Sequence, residues 1–422
     1  MRIFFSVGEP SGDLHAANLI RAIRQRRPDA EFVGYGGPRM AAAGCQLHAD
    51  LTLLAVMWIT RVLLNLHKFL RLLSQADRYF GQHRPDAVVL VDYPGFNWWI
   101  ARKAKARGIP VFYYSPPQVW AWATWRVRKM RRFVDHVLCG LPFEANWYRS
   151  RGCNATFIGH PYFDELHQRQ LDRKFIAERQ AGGKKLVTLL PGSRTQEVTA
   201  NLPLFLNVAE KILAADKNVV FAIAAFKPQQ AAFARQLVCD RNLPIGVYVD
   251  RTPELIEAAT CCMACSGSVS IELLYHAKPT IIQYKTTRFG IWMQRQFRKT
   301  RYITLVNLLA SDKPFVGRAT RQVVEAAMSD KVLMPEYLTS SDRSTDVARQ
   351  LGGWLKDDVQ RGQRVEQLVA LREKVVQLGA SDRAADYILN VVSPAQHRAP
   401  RPHFLPGMRV QSSAGADAEY PW

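Results

Sequence analysis

Short apolar runs alternate with helix-length amphipathic stretches from the first residue onward, the pattern of strands and crossover helices in a parallel sheet. In the first half the runs that predict strands lie at 2–7, 31–35, 87–91, 110–114, 136–139 and 156–158. The rhythm restarts at 186–190 and continues at 219–223, 246–249, 261–265 and 280–284. The expected fold class is α/β, with two doubly wound, Rossmann-like domains facing each other across a cleft. The polar stretch 163–184, with Gly182-Gly183 near its end, is the expected linker. This gives a first domain over 1–168 and a second over 169–365. Helices over 366–394 are expected to pack back on the first domain or on a partner chain. A tail over 395–422, rich in Pro, Ala, Arg and Ser, reads as disordered.

A chain of 422 residues with 48% hydrophobic content is long enough for two cores. Its 57 Lys and Arg against 36 Asp and Glu, a formal net charge of +21, point to anionic partners: nucleic acid, phospholipid headgroups or a phosphorylated substrate. The seven cysteines sit mostly inside apolar runs, as reduced core thiols do in a reducing compartment. Cys262 and Cys265 form a C-x-x-C without a second pair at zinc spacing, so a buried strand is expected there and no metal site. The N-terminus lacks the apolar length of a secretory signal, and no apolar run reaches the ~18 residues of a bilayer span. A cytoplasmic protein, lying on a membrane without crossing it, is the expectation.

In open parallel sheets ligands gather where strands end and helices begin. After the 186–190 run comes Pro191-Gly192-Ser193-Arg194, followed by Gln196 and Glu197 and a helical stretch. A Gly-Ser turn opening a helix offers free backbone N–H groups and a positive dipole end to a phosphate, and Arg194 adds a forked, charge-assisted contact to a diphosphate. Ser266-Gly267-Ser268 repeats the arrangement after 261–265, with Glu272 one turn on as an acceptor for ribose hydroxyls. Two such turns in one domain favour a nucleoside diphosphate there.

In the first domain Gly8-Glu9-Pro10-Ser11-Gly12-Asp13 follows the first strand, and Gly36-Gly37-Pro38-Arg39 the second. Neither is a G-x-G-x-x-G, and no P-loop motif occurs, so this half is expected to hold something other than the nucleotide. Asp92 follows the buried run 87–91 and is placed either to take a proton from an attacking hydroxyl as general base or to cap the next helix. Glu9, Asp13 and His15 are rival bases. No Asp-x-Asp pair exists in the chain, so leaving-group charge is expected to fall on Arg194, helix dipoles and backbone donors, with no metal and no cofactor.

The stretch 57–73 has helical period, with Ile59, Val62, Leu63, Leu66, Phe69, Leu70 and Leu73 on one broad face and Arg61, Asn65, Lys68 and Arg71 on the other. It reads as an interfacial helix or as an ordinary core helix. Cations with interleaved aromatics recur at 285–301, including Arg288, Phe289, Trp292, Arg295 and Phe297, and fit anionic lipid headgroups or nucleic acid. The cluster Arg126, Arg128, Lys129, Arg131 and Arg132 reads as a solvated helix face.

Several blocks resemble the lipid-A-disaccharide synthase family in order and spacing over about 1–390. They are Gly8-Glu9-Pro10-Ser11-Gly12-Asp13, Gly36-Gly37-Pro38-Arg39-Met40, Ser115-Pro116-Pro117-Gln118-Val119-Trp120-Ala121-Trp122, Leu141-Pro142-Phe143-Glu144, Gly159-His160-Pro161, Leu190-Pro191-Gly192-Ser193-Arg194, Ser266-Gly267-Ser268, Lys299-Thr300, Asn307-Leu308-Leu309 and Pro335-Glu336. The resemblance implies a GT-B glycosyltransferase that joins UDP-2,3-diacylglucosamine to 2,3-diacylglucosamine 1-phosphate, inverting the anomeric centre and releasing UDP. It puts the family's essential aspartate on Asp92, its essential arginine on Arg194 and its membrane-associating helix on 59–70. It adds Asn307 to the UDP-binding set of Gly192, Ser193, Arg194, Glu197, Ser266, Gly267, Ser268 and Glu272. Ser11 and Gly12 are assigned to the acceptor, Glu9 and Asp13 to supporting catalytic roles, and an anionic inner-membrane surface becomes the expected partner, with a homodimer left open. The connection 310–334 is longer than the family pattern, and the tail is extra.

Two alternatives stay open on sequence alone: another enzyme on the same scaffold, such as a UDP-N-acetylglucosamine epimerase or transferase, and a basic nucleic-acid- or membrane-binding module. No nucleic-acid motif is present, so nucleic acid is not an expected partner.

Overall fold

The computed structural model describes residues 1–55 and 66–392. Two all-parallel sheets follow one another along the chain. The first contains β1 (Arg2–Val7), β2 (Glu31–Gly36), β3 (Gln46–Asp50), β4 (Ala87–Val91), β5 (Val111–Tyr114), β6 (His136–Cys139) and β7 (Ala155–Phe157), in the order β3-β2-β1-β4-β5-β6-β7. The second contains β8 (Lys185–Leu190), β9 (Val219–Ala225), β10 (Ile245–Val249), β11 (Cys261–Ala264), β12 (Thr280–Lys285) and β13 (Glu336–Thr339), ordered β10-β9-β8-β11-β12-β13. Helices cover both faces, so the central strands read as unbroken apolar runs: Ala-Val-Val-Leu-Val in β4 is buried throughout. Alternate residues feed opposite cores. Phe4, Val88 and Leu90 join one, Ile3, Phe5, Val89 and Val91 the other.

Strand order reverses between β1 and β4 in the first sheet and between β8 and β11 in the second. Those two switch points are where a doubly wound sheet leaves a crevice at its carboxyl edge. β3 and β13 were not expected. β3 is a half-buried edge of Gln, His and Asp, and β13 opens on a buried glutamate, so neither carries the apolar signature.

The domain boundaries also shift. The Pro161–Gln168 helix lies before the expected boundary at 168, yet Phe163 and Leu166 pack into a core of the second sheet. The boundary expected at 365/366 falls inside the Asp358–Val375 helix, whose Leu368, Leu371 and Val375 belong to that same core. Among the described residues of the expected 366–394 segment, the Ala380–Val392 helix is what returns to the first domain. Its Ala384, Ala385, Ile388 and Leu389 pack with Ala16, Leu19, Ile20 and Ile23 of the same chain. Arg26 clamps it through Asp382 at 2.8 Å and Asp386 at 2.6 Å.

The long 310–334 connection straps the two domains together. Val316 N–H donates to the Lys299 carbonyl at 2.9 Å, and Arg301 N–H to the Pro314 carbonyl at 2.9 Å. This sets Phe315 among Trp120, Phe143 and Trp147 of the first domain, at ring distances of 6.0, 5.9 and 6.5 Å.

The expected lipid-facing stretch divides. Ile59, Val62 and Leu63 lie outside the described residues, and nothing is described of the Leu66 side chain. In the Leu66–His83 helix Phe69 is buried against Phe96 (5.9 Å) and Tyr93 (6.5 Å), and Leu72 and Leu73 pack on the same core. Phe69 is therefore a core residue, whereas Leu70 is 58% exposed. Among the described residues no helix is long and apolar enough to cross a membrane.

Candidate active site

At the first switch point β4 ends in a turn that only dense support could hold. Asp92 and Tyr93 both adopt left-handed backbone angles, φ 46° and 45°, at a cost on the order of 1–2 kcal/mol per non-glycine residue. The fully buried Asn97 offsets it. Its Nδ2 donates to the carbonyls of Asp92 (2.8 Å), Ser6 (3.1 Å) and Val91 (3.2 Å), and its Oδ1 accepts from the Ser6 hydroxyl (2.7 Å). The Tyr113 hydroxyl donates to the same Asp92 carbonyl at 2.7 Å.

The backbone is thus pinned, while the Asp92 carboxyl has no hydrogen-bond partner among the described residues. The Pro94–Ala106 helix begins at Tyr93 without a side-chain cap, which removes the capping reading of Asp92. Burial, with the negative charge of Glu9 adding to it, pushes Asp92 up to about 7. A carboxylate poised near neutrality is what proton abstraction from a sugar hydroxyl needs.

The rivals take other tasks. Asp13 is buried, and its oxygens accept from the backbone N–H groups of Gly37 (2.9 Å), Arg39 (3.0 Å) and Met40 (3.1 Å), so it holds the turn after β2 and is not free to act as a base. His15 is pushed down to about 3 by burial and then by His160 and Arg39, which leaves it a feeble base at neutral pH. Glu9 is exposed at the head of the Pro10–Arg26 helix, where its charge acts on Asp92. Gly12 lies against the site: a β-carbon there would stand 3.4 Å from Asp92 Oδ2. Ser11 is exposed beside it.

At the second switch point the turns after β8 and β11 are neighbours, because those strands pair directly. Gly192 has φ +128°, and a β-carbon on it would fall 2.6 Å from that of Glu197. Glycine is required because Glu197 folds back over the turn, accepting from Arg194 N–H at 3.3 Å and from its Nη1 at 2.9 Å. Glu197 thus braces the loop. The Arg194 side chain is 78% exposed and able to swing onto a ligand. Gln230, buried on the next helix, donates to the Ser193 carbonyl at 2.9 Å, and the Cys265 thiol donates to the Pro191 carbonyl at 2.8 Å, joining the two turns. Ser266 is tied to the Ile303 carbonyl at 2.9 Å. Gly267 and Ser268 are exposed, and a β-carbon on Gly267 would meet nothing within 4 Å.

Two expected nucleotide ligands already have protein partners. Glu272 is buried, accepting from Arg169 Nη1 at 2.6 Å and the Tyr162 hydroxyl at 2.8 Å. It ties the Pro161–Gln168 helix, and Arg169 just beyond it, to the Val269–Tyr275 helix. Asn307 donates to the Met334 carbonyl (2.7 Å) and Glu336 (2.8 Å) and accepts from Met334 N–H (3.0 Å), which uses its whole amide. Cys262 is a buried core thiol.

Sequence reasoning missed Glu144, quoted only within a motif. It is buried, accepts from Trp120 Nε1 at 2.8 Å and is pushed up to about 8, first by burial, with Asp92 among the smaller causes. Asn97, Tyr113 and Gln230 were missed as well. Each is a polar residue in an apolar context whose partner lies well away in sequence.

A family model described as Lipid-A-disaccharide synthetase matches residues 3–344. The lipid-A-disaccharide synthase of Myxococcus xanthus is 32% identical over 401 residues, covering 94% of this chain and 98% of that protein. That of Nitrosococcus oceani is 33% identical over 328 residues, 78% of this chain and 84% of that one. Among solved structures, the S. aureus MnaA–UDP co-structure superposes with a TM-score of 0.61 at 11% identity over 93% of this chain and 96% of that one. Acinetobacter baumannii MurG gives 0.53 at 15% over 92% and 99%. At such identities the structures show a shared two-domain fold.

Proposed function

The chain belongs to the lipid-A-disaccharide synthase family, and from that premise we propose how its two switch points divide the reaction. It is a glycosyltransferase of lipid A biosynthesis, condensing UDP-2,3-diacylglucosamine with 2,3-diacylglucosamine 1-phosphate into the β-1,6-linked disaccharide 1-phosphate and UDP.

The second domain holds the UDP diphosphate at the turn Gly192-Ser193-Arg194 and the adjoining Ser266-Gly267-Ser268. Backbone N–H groups and the positive end of the Thr195–Ala215 helix face the leaving group there, and Arg194 leaves Glu197 to pair with it. The likeness in fold to a neighbour solved with UDP fits this placement. Since the sequence has no Asp-x-Asp pair, we assign the leaving-group charge to these donors, without a metal.

The first domain presents the acceptor. Its 6-hydroxyl attacks the anomeric carbon on the face opposite UDP, the C–O bond to the diphosphate breaks, and Asp92 takes the hydroxyl proton, which inverts the centre. Ser11 and Gly12 border the acceptor. The stretch 59–70 keeps the enzyme on the cytoplasmic face of the inner membrane, where acylated substrates reside.

One observation carries this reading: a carboxyl with no hydrogen-bond partner among the described residues, pushed up to about 7 by burial, at the switch point of the domain without the phosphate turns. Trapping UDP with the protein and solving the complex tests it. Diphosphate seated at 191–194 supports it, and diphosphate at the turn after β1 overturns it.

A further inference from the structure

The Arg288–Phe297 helix has no buried residue. Its apolar side chains, Ile291 excepted, share one face. Phe289, Trp292, Met293 and Phe297, spaced i, i+3, i+4 and i+8, form one stripe, with Phe289 68% and Trp292 52% exposed and their rings stacked at 5.7 Å. Large aromatics held in water in this way mark a contact surface.

The helix is braced from outside. Thr287 Oγ1 accepts from Gly290 N–H at 2.9 Å, and at the other end Arg318, from the long connection, donates to the Arg295 carbonyl at 3.3 Å and to the Gln296 side chain. The next residues dock on the other domain, with Lys299 N–H donating to the Ala121 carbonyl at 2.7 Å. Beside that bond stand two more exposed rings, Trp122 (55%) and Trp125 (57%), with Arg126 over the Trp122 face at 5.9 Å.

The charge is of one sign. Segments 118–134 and 285–301 contain no Asp or Glu. None of Arg126, Arg128, Lys129, Arg288, Arg295 and Arg301 is in an ion pair among the described residues. Both segments follow strands, β5 and β12, at the carboxyl edges that also carry Asp92 and the phosphate turns.

We propose that these two segments form a single bipartite rim, one half from each domain, that seats on an anionic lipid surface and brings the reacting edges of both sheets to it. Aromatic rings enter the headgroup layer while the unpaired cations meet lipid phosphates. The inference rests on the acylated-substrate reading above, and it locates docking in a second place besides 59–70. Nucleic acid has similar charge, but the stripe is apolar and helical, as interfacial insertion requires.

The test is co-flotation of the full chain with vesicles of phosphatidylcholine alone or mixed with phosphatidylglycerol. Variants are F289S/W292S in one domain and W122S/W125S in the other, all at exposed positions. The wild-type chain should partition onto the anionic vesicles, and each variant should do so at least about tenfold more weakly. Disaccharide formation from detergent-dispersed substrates and the melting temperature should stay unchanged. Undiminished partitioning of both variants overturns the proposal, as does wild-type retention on an RNA oligomer but not on anionic vesicles. Loss of turnover in detergent would also overturn it, by moving these rings into the catalytic machinery. Failure of the acylated-substrate reading would appear separately, as no disaccharide from the wild-type chain.

Discussion

Gly12 stands so close to Asp92 that a β-carbon on the glycine would lie 3.4 Å from the carboxyl Oδ2. Burial of this carboxyl, which has no hydrogen-bond partner among the described residues, is the main cause that pushes it up to about 7. As base, Asp92 must be ionised, so kcat/KM should fall with decreasing pH through an ionisation at about 7. Glu9→Gln removes the charge that adds to the shift and should move that limb to lower pH. A pH–rate profile identical in both proteins would separate Glu9 from the site.

The same group predicts a stability effect. Its folded pKa lies above the unfolded value, so the stability from burying the neutral acid is full below about 4 and is lost as pH rises through about 7. Asp92→Asn, which cannot ionise, should therefore stabilise the fold at pH 8 by on the order of 1–3 kcal/mol relative to its effect at pH 4. Urea melts at the two pH values measure this.

Glu272 reads as a ribose ligand in sequence, and in the structure it is a buried anchor within the second domain, paired with Arg169 at 2.6 Å. Arg169→Ala leaves a buried carboxylate without its cation, and stability should drop by about 3–5 kcal/mol. Glu272→Gln should lower the melting temperature while changing UDP affinity by less than about threefold, a difference well under one hydrogen bond to a charged group. Calorimetric titration with UDP separates the two roles.

For the diphosphate turn, Arg194→Ala should weaken UDP binding about ten- to a hundredfold, the worth of one charge-assisted contact. Gly192→Ala should cost at least as much, since φ +128° and the Glu197 side chain leave no room for a methyl group. Both should retain the fold.

What was legible in the chain follows burial. β1, β4, β8 and β11 are apolar runs covered on both faces, so their ends, and with them Asp92 and Arg194, could be found by reading hydrophobicity alone. β3 and β13 could not, since β3 is a half-buried edge of mixed polarity and β13 opens on a buried glutamate. The roles of Glu272 and Asn307 depend on Tyr162, Arg169, Met334 and Glu336, at 27–110 residues' separation, which no local pattern announces. For Phe69 the sequence leaves an interfacial and a core face both open, because helical period distinguishes sides of a helix but not what each side touches.

Turnover and UDP affinity, measured on one preparation of Asp92→Asn, test the division of labour most directly. Disaccharide formation should fall by ~10²–10⁴-fold, the usual contribution of a general base, with the UDP dissociation constant within about twofold of wild type. Turnover kept within about tenfold, or UDP binding lost along with it, would contradict the assignment of base and nucleotide to separate domains.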